Sequence, residues 1–313
     1  MDDTIELIRK SSDISSEPTR RKQFTLYEIL LRKAKEGIKI RVLLWEGAFA
    51  ISNHLQIRLL GARGVIDVIY QKHPNNLIGS WHQKNIIIDD EIAFVSGMNA
   101  KENDWDTIQH KVIDLRRAKF NYSQKERIQI AEKKDYESLN KPRRDYMVYT
   151  KGEVVFDIAS NFQERWNYCI EKEPLYYKFS KIALVEKKEY NSVCHAQITR
   201  TFPIESKESH KLKEDGILQN YIRAISNAEK YIYIEDQYFR SSQIANAIVE
   251  TKLRNKDLKI IIVTPPDYLN YDVNNPPPDL LFGTHTTFWT SESFNILQKK
   301  QTKILFCFVC NPQ

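Results

Sequence analysis

The amino-acid sequence predicts an α/β fold made of two pseudo-symmetric lobes, the second of which is incomplete. Helical periodicity alternates with short apolar runs of strand length, and a helix–strand–helix–strand pattern occurs twice along the chain. A length of 313 residues, 42% of them hydrophobic, is enough to build a substantial core in each lobe. Because strands that alternate with helices form βαβ units, we expect a largely parallel sheet in each lobe.

The first lobe is expected to span residues 1–190. Its elements are predicted from apolar residues at helical spacing, from a terminal glycine and from runs of branched residues. In chain order they are Leu26–Gly37, Ile38–Trp45, Asn53–Leu60, Val65–Tyr70 and, after a charged region, the amphipathic helix Val154–Cys169. Two consecutive helix–strand units and a later helix are therefore expected in this lobe.

The second lobe, residues 191–313, repeats this order after one additional strand. Its elements are predicted at Tyr231–Phe239, Ile244–Ile248, Leu258–Val263, Phe294–Lys300 and Lys303–Val309. Cys307 lies within the last run, and we interpret it and the other cysteines as core thiols because no second pair completes a zinc site. The counterpart of the first lobe's polar cluster would fall beyond Gln313, so we expect a chain truncated before it.

Composition narrows the range of partners. The chain has 47 Lys and Arg against 41 Asp and Glu, which favours anionic ligands but is too small an excess to identify nucleic acid. No residues have metal-ligand spacing, so we expect no metal and no cofactor. No apolar stretch reaches the roughly 20 residues that span a bilayer, and no basic export signal is present. We therefore expect a protein that is cytoplasmic or is exported by a dedicated secretion system.

The richest polar cluster of the chain is Trp81–Asn99, which we interpret as two buried strands joined by an acidic turn. Strand alternation places His82 and Lys84 on the same side, and we expect them side by side at the end of a central strand, facing an open cleft. This pair suits phosphoryl chemistry, because an ammonium neutralises phosphate oxygens while an imidazole attacks phosphorus or transfers a proton.

Three further residues of the cluster are candidates for the same site. Gly97 and Asn99 can bring a backbone and an amide donor to the phosphate. Asp89 is one candidate for the carboxylate that would hold the tautomer of His82.

The cluster resembles the H-x-K-x4-D-x6-G-[GS]-x-N motif of the phospholipase D superfamily. The matching residues are His82, Lys84, Asp89, Gly97 and Asn99, with Ser96 where a glycine is usual. Further segments that resemble this family are His73-Pro74, Asn161–Asn167, Gln197–Pro203 and Tyr231–Phe239. The likeness runs from about residue 24 to the end, and extends to bacterial two-motif members that include secreted antibacterial effectors.

The resemblance implies an α/β/α sandwich in which two such motifs meet. One histidine would form a phosphohistidine without a metal, and the other would protonate the leaving alcohol of a phosphatidyl lipid. The headgroup of the lipid would be hydrolysed or exchanged, as by a phosphodiesterase or a transphosphatidylase. His110 lies in a stretch that resembles one lining the headgroup pocket of bacterial relatives, although structural packing explains it at least as well. Glu235 and Gln237 follow a half-buried strand, and a pocket role and a purely structural one are equally open for them.

The motif does not separate the activities found in this superfamily. Nucleases, cardiolipin synthases and phosphatidylserine synthases carry it too. A nuclease should have a basic groove with stacking aromatics and a lipid enzyme an apolar mouth, and the moderate net charge of +6 favours lipid. A catalytically silent remnant is a third hypothesis, because one motif supplies half of the acid–base machinery. We expect very poor turnover from this chain.

Overall fold

The computed structural model describes most of the chain, which divides into two compact units, Met1–Ile198 and Thr199–Gln313. The residues described are 25–46, 55–73, 80–99, 106, 108–111, 114, 117–118, 122–133, 145–183, 186–187, 189–191, 194–202, 214–236, 238–264, 292–297 and 305–308.

The first unit alternates helices and strands. Its elements are α1 (Leu26–Lys35), β1 (Arg41–Glu46), α2 (Leu55–Ala62), β2 (Asp67–Lys72), β3 (Lys84–Ile88), β4 (Ile92–Ser96), α3 (Gln124–Lys133), β5 (Met147–Lys151) and α4 (Val154–Lys172). The side chain of Thr25 caps α1, since its hydroxyl accepts a hydrogen bond from the backbone of Glu28 at 3.3 Å. The helices and strands predicted before residue 73 are present, with ends that differ by a few residues.

The parallel pair β1–β2 is covered by helices on both faces. On one face, Leu44 and Val68 pack in a cluster with Ile57 and Leu60 of α2. On the other face, Ile69 packs in a cluster with Trp166 of α4. This layering of helix, sheet and helix confirms the α/β class, and it follows from strands that are apolar on both sides.

The second sheet of this unit, β3–β4–β5, is antiparallel throughout. The expectation of a largely parallel sheet is therefore wrong for the first unit. The reason is local: three residues join β3 to β4, and a connection this short permits only antiparallel pairing, whereas parallel strands need a long crossover.

The expectation that β3 is a buried strand is also wrong. Ile87 packs in a cluster with Val155 and Ile158 of α4, but Ile86 is 54% and Ile88 46% exposed. A strand that is buried on one face only is recognised by alternating polar and apolar residues. Three consecutive isoleucines place apolar side chains on both faces of β3, so this alternation is absent.

The second unit contains a parallel sheet. Its elements are β6 (Thr201–Phe202), β7 (Glu214–Asp215), α5 (Gly216–Ser226), β8 (Tyr231–Glu235), α6 (Ser242–Arg254), β9 (Lys259–Thr264), a helical segment at 292–297 and β10 (Leu305–Phe308). The order is β10–β9–β8, and both pairs are parallel. Ile260 and Ile262 pack with Ile248 of α6 and with Phe294.

The internal repeat is visible in the two units. In the first, α1–β1–α2–β2 brings β1 and β2 together in parallel, and in the second, α6, β9 and the helical segment precede a parallel pairing of β9 with β10. None of the helices within the described ranges is long and apolar enough to cross a membrane.

Candidate functional site

His82 and Lys84 lie at the start of β3. His82 is exposed and Lys84 half-buried, and the Lys84 ammonium donates to the backbone carbonyl of His82 at 2.8 Å. Among the described strands β3 pairs with β4 alone, so it is an edge strand of its sheet and not a central one. An accessible imidazole and an ammonium thus occupy one short stretch of backbone.

The residue before the histidine is held inward. Trp81 is buried, and its indole nitrogen donates to the backbone carbonyl of Lys72, the last residue of β2, at 3.0 Å. The guanidinium of Arg165, on α4, lies 4.4 Å from the centre of the Trp81 ring, within the range of a cation–π contact.

The residue after the histidine is held by the same helix. The side-chain oxygen of Gln83 accepts hydrogen bonds from Arg165 Nη1 and from Asn161 Nδ2, both at 2.9 Å. Arg165 also donates from Nε and Nη2 to the side-chain oxygen of Gln71, at 2.8 and 2.6 Å. Polar side chains of β2 and α4 thus converge on the segment that carries His82.

Sequence reasoning assigned no role to these polar residues. From the sequence, Asn161 and Arg165 are only part of a segment that resembles the family, and Trp81 and Gln83 are only part of the cluster that carries the motif. Their signal was present: alternation puts Trp81 and Gln83 opposite His82, and two polar residues four positions apart on α4 share one helix face.

Asp89 lies at the other end of β3, in the turn that leads to β4. Asp89 and Asp90 both have φ of 54°, and the backbone N–H of Glu91 donates to the carbonyl of Ile88 at 3.1 Å. An extended chain advances about 3.3 Å per residue, so the stretch of chain from His82 through β3 to Asp89 spans roughly 23 Å. The structure does not bring this carboxylate to the histidine.

Gly97 is positioned by its neighbours after β4. Its backbone N–H donates to the carbonyl of Tyr146 at 3.1 Å, so this donor is used within the sheet. A Cβ at residue 97 would collide with the carboxylate of Asp145, so a larger residue there would displace this exposed side chain. The hydroxyl of Ser96 accepts from the backbone of Met98 at 2.8 Å and shapes the turn towards Asn99, which is half-buried.

His110 contacts a carboxylate. Its Nδ1 lies 2.6 Å from Asp106 Oδ2, and Asp106 Oδ1 lies 3.9 Å from the guanidinium of the buried Arg117. Arg117 donates in turn to the carbonyl of Lys111 at 2.5 Å. His110 has φ of 45°, an uncommon backbone conformation for a residue with a side chain.

The candidates of the second unit are only partly described. Glu235 ends β8 with an exposed side chain that accepts a hydrogen bond from the Tyr233 hydroxyl at 3.1 Å. Gln237 lies outside the described residues. The carboxyl end of a parallel strand, where Glu235 lies, is where sites in α/β folds gather.

Metal-ligand geometry is absent from the part of the chain that the structure describes: it contains no group of three His, Cys, Asp or Glu residues that could hold an ion. Cys169 is buried, and burial raises the pKa of its thiol to about 12, which keeps it protonated at neutral pH. Cys194 is exposed, so the interpretation as a core thiol is wrong for this residue. Cys307 lies in β10, and Cys310 is outside the described residues.

The sequence places this site in a known family. The family model described as Phospholipase D matches residues 63–258, which include the whole of the Trp81–Asn99 cluster. This match covers more than half of the chain, and the chain belongs to the phospholipase D family.

Several phospholipases D are similar to the chain. Phospholipase D A of Dictyostelium discoideum is 28% identical over 257 residues, which are 73% of this chain and 19% of the relative. Phospholipase D B of the same organism is 35% identical over 175 residues, 47% of this chain and 13% of the relative. Phospholipase D1 of Saccharomyces cerevisiae is 26% identical over 262 residues, 71% of this chain and 15% of the relative. The chain thus spans less than a fifth of the length of these three relatives. All three are eukaryotic, so they do not test the expected likeness to bacterial members.

Proposed function

We propose that this chain acts on phosphatidyl lipids as a phospholipase D-type phosphodiesterase, through a phosphohistidine at His82. The observation that carries the proposal is the exposed His82 imidazole beside the Lys84 ammonium, within the segment that matches the family. An accessible imidazole is a nucleophile for phosphorus, and an adjacent cation offsets the charge of the non-bridging oxygens.

In this reaction the His82 nitrogen attacks phosphorus, and the headgroup alcohol leaves with a proton from an acid. Water then hydrolyses the phosphatidyl-histidine. Lys84 holds the phosphate, and Asn99 is the candidate amide donor. We assign Gly97 to making room at the end of β4 and Asp89 to shaping the hairpin turn, because neither offers a free donor or carboxylate to His82 in the described geometry.

A lipid substrate is supported by the side chains around Lys84. Strand alternation and register place Ile86, Ile88 and Tyr149 on the same face of the sheet as this lysine, and all three are exposed. An apolar surface beside a phosphate-binding cation suits acyl chains better than a nucleic-acid backbone, which favours a basic groove. A nuclease, or a phosphatidyltransferase of the cardiolipin or phosphatidylserine synthase type, remains the alternative.

Turnover is expected to be slow. The chain contains one H-x-K-x4-D motif, and the proposed mechanism needs one imidazole to attack and a second acid to protonate the leaving oxygen. General acid catalysis is commonly worth about 10²- to 10⁴-fold. The headgroup leaves as the covalent adduct forms, so a missing acid slows both equally. The adduct is the better test of the site because it identifies the residue that attacks phosphorus, and full turnover by the monomeric chain would contradict the two-histidine mechanism.

The test is to incubate the 313-residue chain with phosphatidylcholine vesicles and to look for a phosphatidyl adduct by mass spectrometry at alkaline pH. We expect an adduct on His82 that is lost in His82→Ala and reduced at least about 100-fold in Lys84→Ala. His195→Ala removes another exposed histidine and is the matched control. An adduct that persists in His82→Ala would show that the site is wrong, and an adduct formed only with oligonucleotides would favour the nuclease.

A further inference from the structure

We infer that Arg165 is a positioning residue for His82, acting through the two residues that flank the histidine. This inference rests on the proposed function of His82, but it is carried by contacts of α4 and β2. In this role Arg165 does not contact the reacting phosphate. Its guanidinium fixes the direction of the backbone from which the imidazole projects.

The first step is the alternation of burial across the histidine. Trp81 is buried, His82 is exposed and Gln83 is half-buried. In an extended segment, successive side chains point to opposite sides. If Trp81 and Gln83 are held inward, His82 is directed outward, and if either is released, the segment can rotate and redirect the imidazole.

The second step is that one guanidinium holds both flanking side chains. Arg165 Nη1 donates to Gln83 at 2.9 Å, and the guanidinium carbon Cζ lies 4.4 Å from the centre of the Trp81 ring. The planar fork of arginine allows stacking and hydrogen bonding at once, which a lysine ammonium cannot reproduce. Asn161, one turn earlier on α4, adds a second donor to Gln83 at 2.9 Å.

The third step is that Arg165 itself is fixed. It is 7% exposed, and Nε and Nη2 both donate to Gln71, which is 2% exposed and belongs to β2. These directed hydrogen bonds leave the buried guanidinium little freedom to move. The orientation of β2 and α4 is therefore transmitted to the His82 segment, and preorganisation of this kind removes part of the entropic cost of placing a nucleophile.

The experiment compares Gln83→Met with Gln163→Met in the 313-residue chain. Met has nearly the shape of Gln but cannot accept from Arg165 and Asn161. Gln163, also on α4, donates to Ile182 and has no contact with the motif in the described hydrogen bonds, so its replacement controls for loss of an ordinary side-chain hydrogen bond. These variants leave Arg165 in place, because Arg165→Met removes two hydrogen bonds to the buried Gln71 and one to the half-buried Gln83 and can prevent folding.

Two quantities are measured by NMR: hydrogen exchange of the His82 and Lys84 amides, and the affinity of inorganic phosphate followed on the His82 imidazole resonances. In Gln83→Met we expect amide exchange to accelerate and phosphate binding to weaken, each by about tenfold, the loss typical of one or two hydrogen bonds. We expect Gln163→Met to change neither. Gln83→Glu keeps the acceptor oxygens, and its amide exchange should stay within about twofold of the unchanged chain.

The outcomes separate the inference from the proposed function. Unchanged amide exchange in Gln83→Met would overturn the positioning role, and so would faster exchange with unchanged phosphate affinity, which would leave Arg165 a purely structural residue. If the unchanged chain does not bind phosphate at His82, the proposed function fails. Amide exchange and the side-chain torsion couplings of His82 need no ligand and would still decide whether Arg165 orients the imidazole.

Discussion

At the scale of single residues, backbone conformation explains the turn after β3. Asp89 and Asp90 both adopt φ of 54°, where a side chain is strained unless it is short and polar. An aspartate in a catalytic motif suggests a charge at the reaction centre, but here a short acid that tolerates left-handed backbone lies at the far end of the strand. Motif membership therefore identified the residue and not its position.

The Cys169 thiol makes stability depend on alkaline pH. Burial raises its pKa from the ordinary 9.0 to about 12, so between these values the unfolded chain has lost a proton that the folded chain keeps. The contribution to the free energy of unfolding is complete below about pH 8 and falls above about pH 9, by about 1.4 kcal/mol per pH unit. Cys169→Ala lacks this term.

Urea unfolding at several pH values from about 7 to 11 measures this effect. We expect the difference in unfolding free energy between the unchanged chain and Cys169→Ala to shrink as the pH rises. Tyr168 and Tyr176, whose pKa values are raised chiefly by burial, are present in both proteins, but the charge of an ionised Cys169 also raises both values and this part is absent from Cys169→Ala. A difference that stays constant with pH would mean that the thiol is accessible to solvent.

At the scale of elements, β3 combines a core face with a solvent face. Ile87 packs against α4 while Ile86 and Ile88 are exposed, although all three residues are isoleucine. Helix α3 is not among the elements predicted from periodicity, because it lies in a charged region. The signal was a capping box, in which Ser123 and Glu126 exchange hydrogen bonds of 2.7 and 3.3 Å between side chains and backbone.

The two faces of β3 predict different costs for the same substitution. Ile87→Ala removes methyl groups from a packed cluster and should lower the free energy of unfolding by about 2–4 kcal/mol. Ile86→Ala, one residue away and 54% exposed, should lower it by less than about 1 kcal/mol. Denaturant unfolding of both variants checks the assignment. Equal losses would mean that Ile86 is covered in solution.

At the scale of the whole molecule, chemistry without a metal is the clearest expectation. In the proposed mechanism Lys84 takes the charge-neutralising role that a metal would otherwise fill. We therefore expect formation of the His82 adduct to proceed unchanged after prolonged treatment with EDTA. The measurement is the amount of adduct before and after chelation, and a loss that Mg²⁺ or Ca²⁺ restores would contradict this mechanism.

Much of the architecture could be predicted from periodicity alone. The repeated helix–strand units and helix α4 were recognisable because each buries an apolar stripe with its own period. The direction of the strands around the motif could not be predicted in this way. The alternation of helices and strands in the rest of the chain favours parallel sheets, but the short turn between β3 and β4 dictates antiparallel pairing.

The sequence by itself determined the family: the spacing of His82, Lys84, Asp89, Gly97 and Asn99 resembles the motif of the phospholipase D superfamily, and the matching family model covers the whole segment. Only the tertiary structure decided which side chains support them. Arg165 is about 80 positions from Gln83 in the chain, yet the two are hydrogen-bonded at 2.9 Å. Contacts between residues so distant in sequence depend on how α4 packs on two separate sheets, and no local pattern encodes that distance. Asp89 is close to His82 in sequence but lies far from it in space, because the extended strand β3 separates the two residues.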